Sequence, residues 1–411
     1  MEKKFSMVIT AQHLFDGVNS SEYEGYLCLK DNRIVQKEKG KPSKEILEQS
    51  DHVLQFTEEL VMPGITDTHT FFTGYAVFHV GADLSEVRDN KKGLEILETY
   101  EKKHNSKEVL LGHGWQPEKW NRQDGEQMLE ENYSDRPVIL FAADRSTCMM
   151  NLAAKKKYQF TPETCYPESY YRVMSAYLND REFIDQEFSD YMTLMNSRGV
   201  TTVKEMGFDD FYGFTEYLKE MEENDRLRMR IHFMSQPVGA PMNLPYARKM
   251  RDQFTGDKVR FSGFNRMTDG TIASGKGELK EAYAGKDYIC TENIPWEEIE
   301  ADVLKADEEG FRWSLHAQGD GAVGKIADIY EKCQKSGGKL KNRHAITDME
   351  FTSPDDLERL GKLGGSAELY FQIMSLDPAD VLIENINRTI GKERGKYYWN
   401  RRKMQDSGMN L

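Results

Sequence analysis

From residue 60 onward, short apolar runs alternate with amphipathic segments along the chain. Runs at 60–66, 108–112, 137–143, 199–206, 228–234, 258–265, 311–316, 343–349 and 366–370 have the length and apolar density of buried strands. Between them, 92–104, 181–197, 209–223, 296–309, 321–336 and 354–362 carry helical spacing. Gly199, Gly310 and Gly364-Gly365 follow these helices, where a left-handed cap belongs. Ser353-Pro354-Asp355-Asp356 has an N-cap, a first-turn proline and early acids, so it opens a helix. Strand–helix alternation predicts a parallel sheet covered by helices. Upstream the rhythm is different. Phe5 to Thr10, Gly25 to Lys30 and Arg33 to Val35 alternate apolar and polar residues, with Asp31-Asn32 as a turn, which predicts antiparallel hairpins.

Nine strands are one too many for an eightfold barrel, and 108–112 and 137–143 are expected to belong to an inserted layer over about 72–180. The expected division is residues 1–58 as a small β-unit and 59–411 as an α/β domain. A chain of 411 residues has room for both. The net charge of −14 argues against a nucleic-acid or anionic-membrane partner. No stretch approaches 18 uncharged apolar residues, and Met1-Glu2-Lys3-Lys4 is not followed by an apolar run. Five scattered cysteines without a CxxC motif read as reduced thiols, so a cytoplasmic protein is expected. The mean hydropathy of −0.70 is low for a barrel and fits large surface insertions.

The segment Leu60-Val61-Met62-Pro63-Gly64-Ile65 running into Asp67-Thr68-His69 resembles the first barrel strand of the amidohydrolase superfamily. Gly112-His113-Gly114-Trp115 with Trp120, Gly199-Val200-Thr201-Thr202-Val203, Asp269-Gly270-Thr271 and His316-Ala317-Gln318-Gly319-Asp320 resemble later pieces of its N-substituted formamide deformylase branch. The resemblance implies a (β/α)8 TIM-type barrel, a small N-terminal β-sandwich and a metal-dependent hydrolase. It also implies a metal site built from His-x-His, often a carboxylated lysine, two later histidines and a last-strand aspartate. His69 and His316 match. Phe71 stands in place of the second imidazole, Asn265 in place of the lysine and Asp348 in place of the next histidine. The chain stops at Gly408-Met409-Asn410-Leu411, where the last strand would begin, so the barrel is expected to be incomplete. A partner chain is expected to supply that strand and the remaining sandwich strands.

The expected site therefore comprises His69, His316 and Asp348 as ligands of one Zn²⁺ or Fe²⁺, or of no metal at all. Asp348 and His113 are the candidate catalytic groups, and Trp115, Asp269 and Phe71 are candidates for contact with a small-molecule substrate. Lys204 and Glu205 end a strand, and alternation puts one of them toward the mouth. The reaction expected is hydrolysis of a non-peptide C–N bond. The alternative is an inactive barrel that binds a small molecule or completes a hetero-complex.

Overall fold

The computed structural model describes residues 3–104, 108–144, 146–165, 172–173, 176–206, 214–236, 241–370 and 377–411. Contacts divide the chain into two units, Met1–Ile65 and Thr66–Leu411.

The first unit is one four-stranded sheet. β1 (Phe5–Leu14) pairs antiparallel with β2 (Tyr23–Lys30) and parallel with β4 (Ser50–Val61), and β2 pairs antiparallel with β3 (Arg33–Lys39). Asp31, with φ of 54°, makes the turn between β2 and β3, as the Asp-Asn signal predicts. Phe5, Val8, Tyr26 and Cys28 form its buried side against the helix Lys44–Glu48.

The second unit begins at the end of β5 (Ile65–Thr70). An inserted four-stranded sheet follows, made of β6 (Ala82–Asp83), β7 (Leu110–Trp115), β8 (Val138–Ala142) and β9 (Cys148–Met150). The runs at 108–112 and 137–143 are β7 and β8 of this layer. The parallel sheet resumes with β10 (Val200–Glu205), β11 (Arg230–Ser235), β12 (Val259–Met267) and β13 (Arg312–Ala317). A short hairpin, β14 (Lys335–Ser336) and β15 (Lys339–Leu340), precedes β16 (Ala345–Asp348) and β17 (Ser366–Glu368). The seven strands run in the order β5, β10, β11, β12, β13, β16, β17 and form a nearly closed barrel. β5 and β17 are its edges, and Asn410 adds a parallel bridge to Ser366 on β17. The expected helix 209–223 is present as Phe214–Glu223; the residues before 214 lie outside the described ones.

The faces of the strands sort by parity. Outward residues such as Ile231, Phe233, Val259 and Leu315 are fully buried under the helices. Inward residues are polar over much of the barrel, and the register shows which rows they form. Lys204, His232 and Arg260 are direct partners across β10, β11 and β12. The β11–β12 register slips between Phe233 and Met234, where Ser262 is the extra residue of a bulge. The next residue, Gly263, has φ of 121°, and a Cβ there would lie 2.1 Å from the Arg312 carbonyl oxygen, so only glycine fits the kink. The bulge re-phases β12 so that Asn265 pairs with Ser314 and faces inward.

Candidate active site

His316 is the next-to-last residue of the buried run Trp313-Ser314-Leu315-His316-Ala317, and strand parity turns it inward with Ser314. Its partner in register on β16 is Thr347, whereas Asp348 pairs with Ala317. Regular alternation would therefore send the Asp348 side chain outward. Asp348 instead has φ of 71° and Met349 φ of 48°, two consecutive left-handed residues at the strand end. Such backbone is disfavoured outside glycine and a few polar types, and it concentrates where function over-determines geometry. The twist brings Asp348 Oδ2 to 2.7 Å from His316 Nε2.

A second carboxylate lies near the imidazole, beyond hydrogen-bond reach. Asp269 Oδ1 lies 3.9 Å from His316 Nδ1. Asp269 is itself held by three backbone N–H donors, from Gln318 to Oδ1 and from Gly319 and Glu278 to Oδ2, each at 2.9 Å. Gln318 Nε2 donates to Asp348 Oδ2 at 3.2 Å. Burial works against the charged imidazole of His316, but the bond and charge of Asp348, with Asp269 behind, win and raise its pKa. For Asp348, burial pushes upward and the His316 bond outweighs it, so the carboxyl sits below its ordinary range. Burial raises Asp269 to about 6 against its three amide donors.

His69 is the next-to-last residue of β5, and its ring meets Phe71 edge-on at 5.2 Å and Tyr370 at 4.8 Å. Burial, seconded by the charge of Lys204, lowers its pKa to about 4, so it stays neutral. Behind this strand end, Glu205 points outward and is fully enclosed. It accepts from Thr70 Oγ1 at 2.9 Å, Tyr191 Oη at 2.7 Å and Phe72 N at 2.8 Å. Of the two β10 candidates it is Lys204 that faces inward, donating to Ser314 Oγ at 3.0 Å and pairing with Glu368. Glu350 is buried near this group; Tyr398 donates to its Oε2 at 2.6 Å, and burial raises its pKa. Nothing in the sequence singled out Glu350, because its neighbours are brought up by the turn after β16.

Three polar atoms here have no hydrogen-bond partner among the described residues: His69 Nδ1, His316 Nδ1 and Asp348 Oδ1. Unsatisfied buried polar atoms are rare and mark a place for a ligand, ion or water. Two imidazoles and a carboxylate are a donor set suited to a single Zn²⁺ or Fe²⁺, so the residues fit one ion. They form an open set: among the described residues the trio of ligand atoms lying within 4.8 Å of one another is Asp307, Cys333 and His344.

That trio sits elsewhere, at the start of β16, and it is closed. Trp313 N donates to His344 Nδ1 at 3.0 Å, so Nε2 carries the hydrogen that goes to Asp307 Oδ1 at 2.8 Å. Asn342 and the Gln334 amide, both at 2.6 Å, complete Asp307. With both ring nitrogens of His344 used, no lone pair is left for an ion.

The other expected site residues divide. Phe71 is at the mouth beside His69, 37% exposed. Trp115 must be corrected: it is 1% exposed in the core of the inserted sheet, its indole N–H donating to Trp120 O, so it has no free face for a substrate. His113 is on β7 of the same sheet, its Nδ1 3.1 Å from Val80 O and its Nε2 3.9 Å from Asp83. The structure brings neither residue to the His316 cluster.

The amidohydrolase family pattern matches residues 57–411, which is most of the chain. This chain belongs to the amidohydrolase family. It is 19% identical to the Arabidopsis thaliana protein LONG AFTER FAR-RED 3 over 433 residues, covering 94% of this chain and 71% of that one. It is 21% identical to the putative amidohydrolase YtcJ of Bacillus subtilis (strain 168), covering 68% of this chain and 57% of that protein's length. Two solved structures of uncharacterized metal-dependent hydrolases, from Pyrococcus horikoshii and Pyrococcus furiosus, superpose with TM-scores of 0.69 and 0.71 at 17% and 18% identity. Each match covers 98% of this chain, and 80% and 84% of the respective neighbour. At such identities the likeness is one of fold.

Proposed function

We propose that this amidohydrolase hydrolyses a C–N bond other than a peptide bond in a small molecule, at the mouth formed by His69, His316 and Asp348, with at most one divalent metal. The observation that carries this reading is the buried His316–Asp348 pair, assembled by left-handed backbone and left with unpartnered atoms. The Pyrococcus neighbours are described as metal-dependent hydrolases, which supports a metal at the matching strand ends. A divalent ion, if held by His69, His316 and Asp348, would supply a Lewis acid and make a bound water more acidic. The chain's own groups orient the rest. Asp348 Oδ2 fixes the imidazole of His316 through Nε2, and the amide-pinned Asp269 lies behind its Nδ1. Where Asp348 holds no ion, its Oδ1 is the free acceptor for a proton of water or of the leaving nitrogen. Phe71 and Tyr370 close off two sides of His69.

Phe71 and Asn265 favour a second reading, a barrel that binds without reacting. Asn265 is buried with its amide nitrogen against Met206 Sδ at 3.0 Å, so neither position offers the imidazole or the carbamylated lysine that a second metal would need. One experiment separates the two readings. The purified chain is assayed for metal content and for turnover of formamides and cyclic amides with added Zn²⁺ or Fe²⁺. Turnover that disappears in His316→Ala supports the hydrolase; no turnover with either ion leaves the binding barrel. A strand from another polypeptide seated between β17 and β5 remains a further proposal, tested by native mass spectrometry; a heteromer is the supporting result.

A further inference from the structure

A TIM-type barrel is normally filled by layers of branched apolar side chains. Below the mouth of this one, the inward positions are Thr202 and Lys204 on β10, Arg230 and His232 on β11, and Arg312 on β13 with Glu368 on β17. The register fixes their common orientation: Thr202 pairs with Arg230, Lys204 with His232, and His232 with Arg260. Of these, Thr202, Lys204, His232, Arg312 and Glu368 border a cavity of about 190 Å³, which the hydroxyls of Ser262, Ser366 and Thr68 and the segment Asn410-Leu411 also line; Arg230 is exposed at the start of β11, outside that lining.

The charges in this interior do not balance. Lys204 and Arg312 share one carboxylate, that of Glu368, which is 3% exposed. Arg230 and Arg260 stand at the strand starts with no ion pair among the described residues. Two cations therefore line the cavity with one anionic side chain, and the charges of two exposed arginines at the strand starts reach His232 on its wall, in a chain whose net charge is −14. His232 does not add to the excess: burial, with the charges of Arg260, Arg230 and Arg312, lowers its pKa and keeps it neutral. Arg312 Nε is a buried donor without a partner. An uncompensated buried cation is costly, and a low-dielectric cleft lined by one sign of charge concentrates counter-ions. Arginine forks and hydroxyls are the groups that hold carboxylate and phosphate oxygens.

We infer that the barrel interior below the mouth is a binding site for a small oxyanion, a carboxylate or phosphate group, reached from the strand-start end. It is separate from the His316 cluster and independent of any reaction there. The pair Lys204–Glu368 forms its floor, Arg312 presents the free Nε–H, and Arg230 and Arg260 draw the anion in.

The test is isothermal titration calorimetry of the whole chain with inorganic phosphate and, separately, acetate, each against sodium chloride of equal ionic strength. Saturable binding of one or both is expected, and which one binds identifies the preferred group. Because Lys204→Met and Arg312→Met disturb the buried ion pair, the decisive variant is the exposed double change Arg230→Ala with Arg260→Ala. It should weaken binding about tenfold or more while leaving the unfolding temperature near that of the parent chain. No saturable heat above the chloride control for either anion overturns the inference. So does unchanged affinity in a folded double variant.

Discussion

Among its described residues the barrel holds two histidine–aspartate pairs of nearly equal length, and they are opposites. His316 Nε2 and Asp348 Oδ2 are 2.7 Å apart, and His344 Nε2 and Asp307 Oδ1 are 2.8 Å apart. In the second pair every bonding position of the imidazole is taken, and Asp307 answers three donors. In the first, each partner keeps an atom with nothing to bind, on backbone that polar residues tolerate and few others do. Distance alone does not separate a support from a reactive centre. The unused bonding capacity does, because a group that can still bind something is one that a ligand can stabilise.

The comparison can be broken by exchanging the expected effects. His316→Ala should reduce turnover at least about a thousandfold, while His344→Ala should act on folding; steady-state kinetics on both variants would show equal losses if the contrast were false. Asp307→Ala strips the acceptor from the buried His344 imidazole and from two part-buried donors, and should cost about 3–5 kcal/mol in denaturant unfolding. A loss under about 1 kcal/mol would mean that the closed pair is not a support.

Glu205 sharpens the same contrast, since it is fully bonded yet has no cation. Burial raises its pKa from 4.5 to about 7 despite three donors. Its folded value lies above the unfolded one, so the folded chain holds an extra proton between those values. Stability contributed by that proton is present below about 4.5 and is lost as pH rises toward 7 and beyond. The slope should amount to on the order of 3 kcal/mol across the window. Unfolding of Glu205→Gln followed at pH 5 and pH 8 should show that slope removed; an unchanged slope would assign it to other groups. The smallest effect expected is that of a chelator: EDTA should leave the unfolding of His316→Ala unshifted, because both ring nitrogens of His344 in the Asp307–Cys333–His344 trio are already bonded. A drop in unfolding temperature of that variant would reveal an ion there.

Much of this was readable from the chain. Outward apolar positions keep a two-residue period, so the strands at 200–205, 230–235 and 312–317 fall within two residues of their expected bounds. The match to His-Ala-x-Gly-Asp located His316, and the position of Asp348 followed from its own segment. That the two touch could not be read, because strand parity forbids it and only the φ at 348 permits it. His344 and Asp307 are 37 residues apart, and nothing local links them. Trp115 was misassigned because a Gly-x-Gly-Trp segment does not reveal whether its indole is covered. The polar interior escaped notice for a related reason: Thr, Lys, Arg and Ser at alternate strand positions look like a solvated face, and in a closed sheet the same pattern lies inside.

The left-handed turn at Asp348 also limits what can replace it. Besides glycine, the residues that enter that backbone region most readily are asparagine, aspartate and histidine. Substitution at 348 is thus confined to a short alphabet, and each of its polar members carries an atom able to bond to an imidazole or a metal. A single codon change there could restore or remove a ligand without moving the strand, so the chemistry of the mouth can change while the architecture stays as it is.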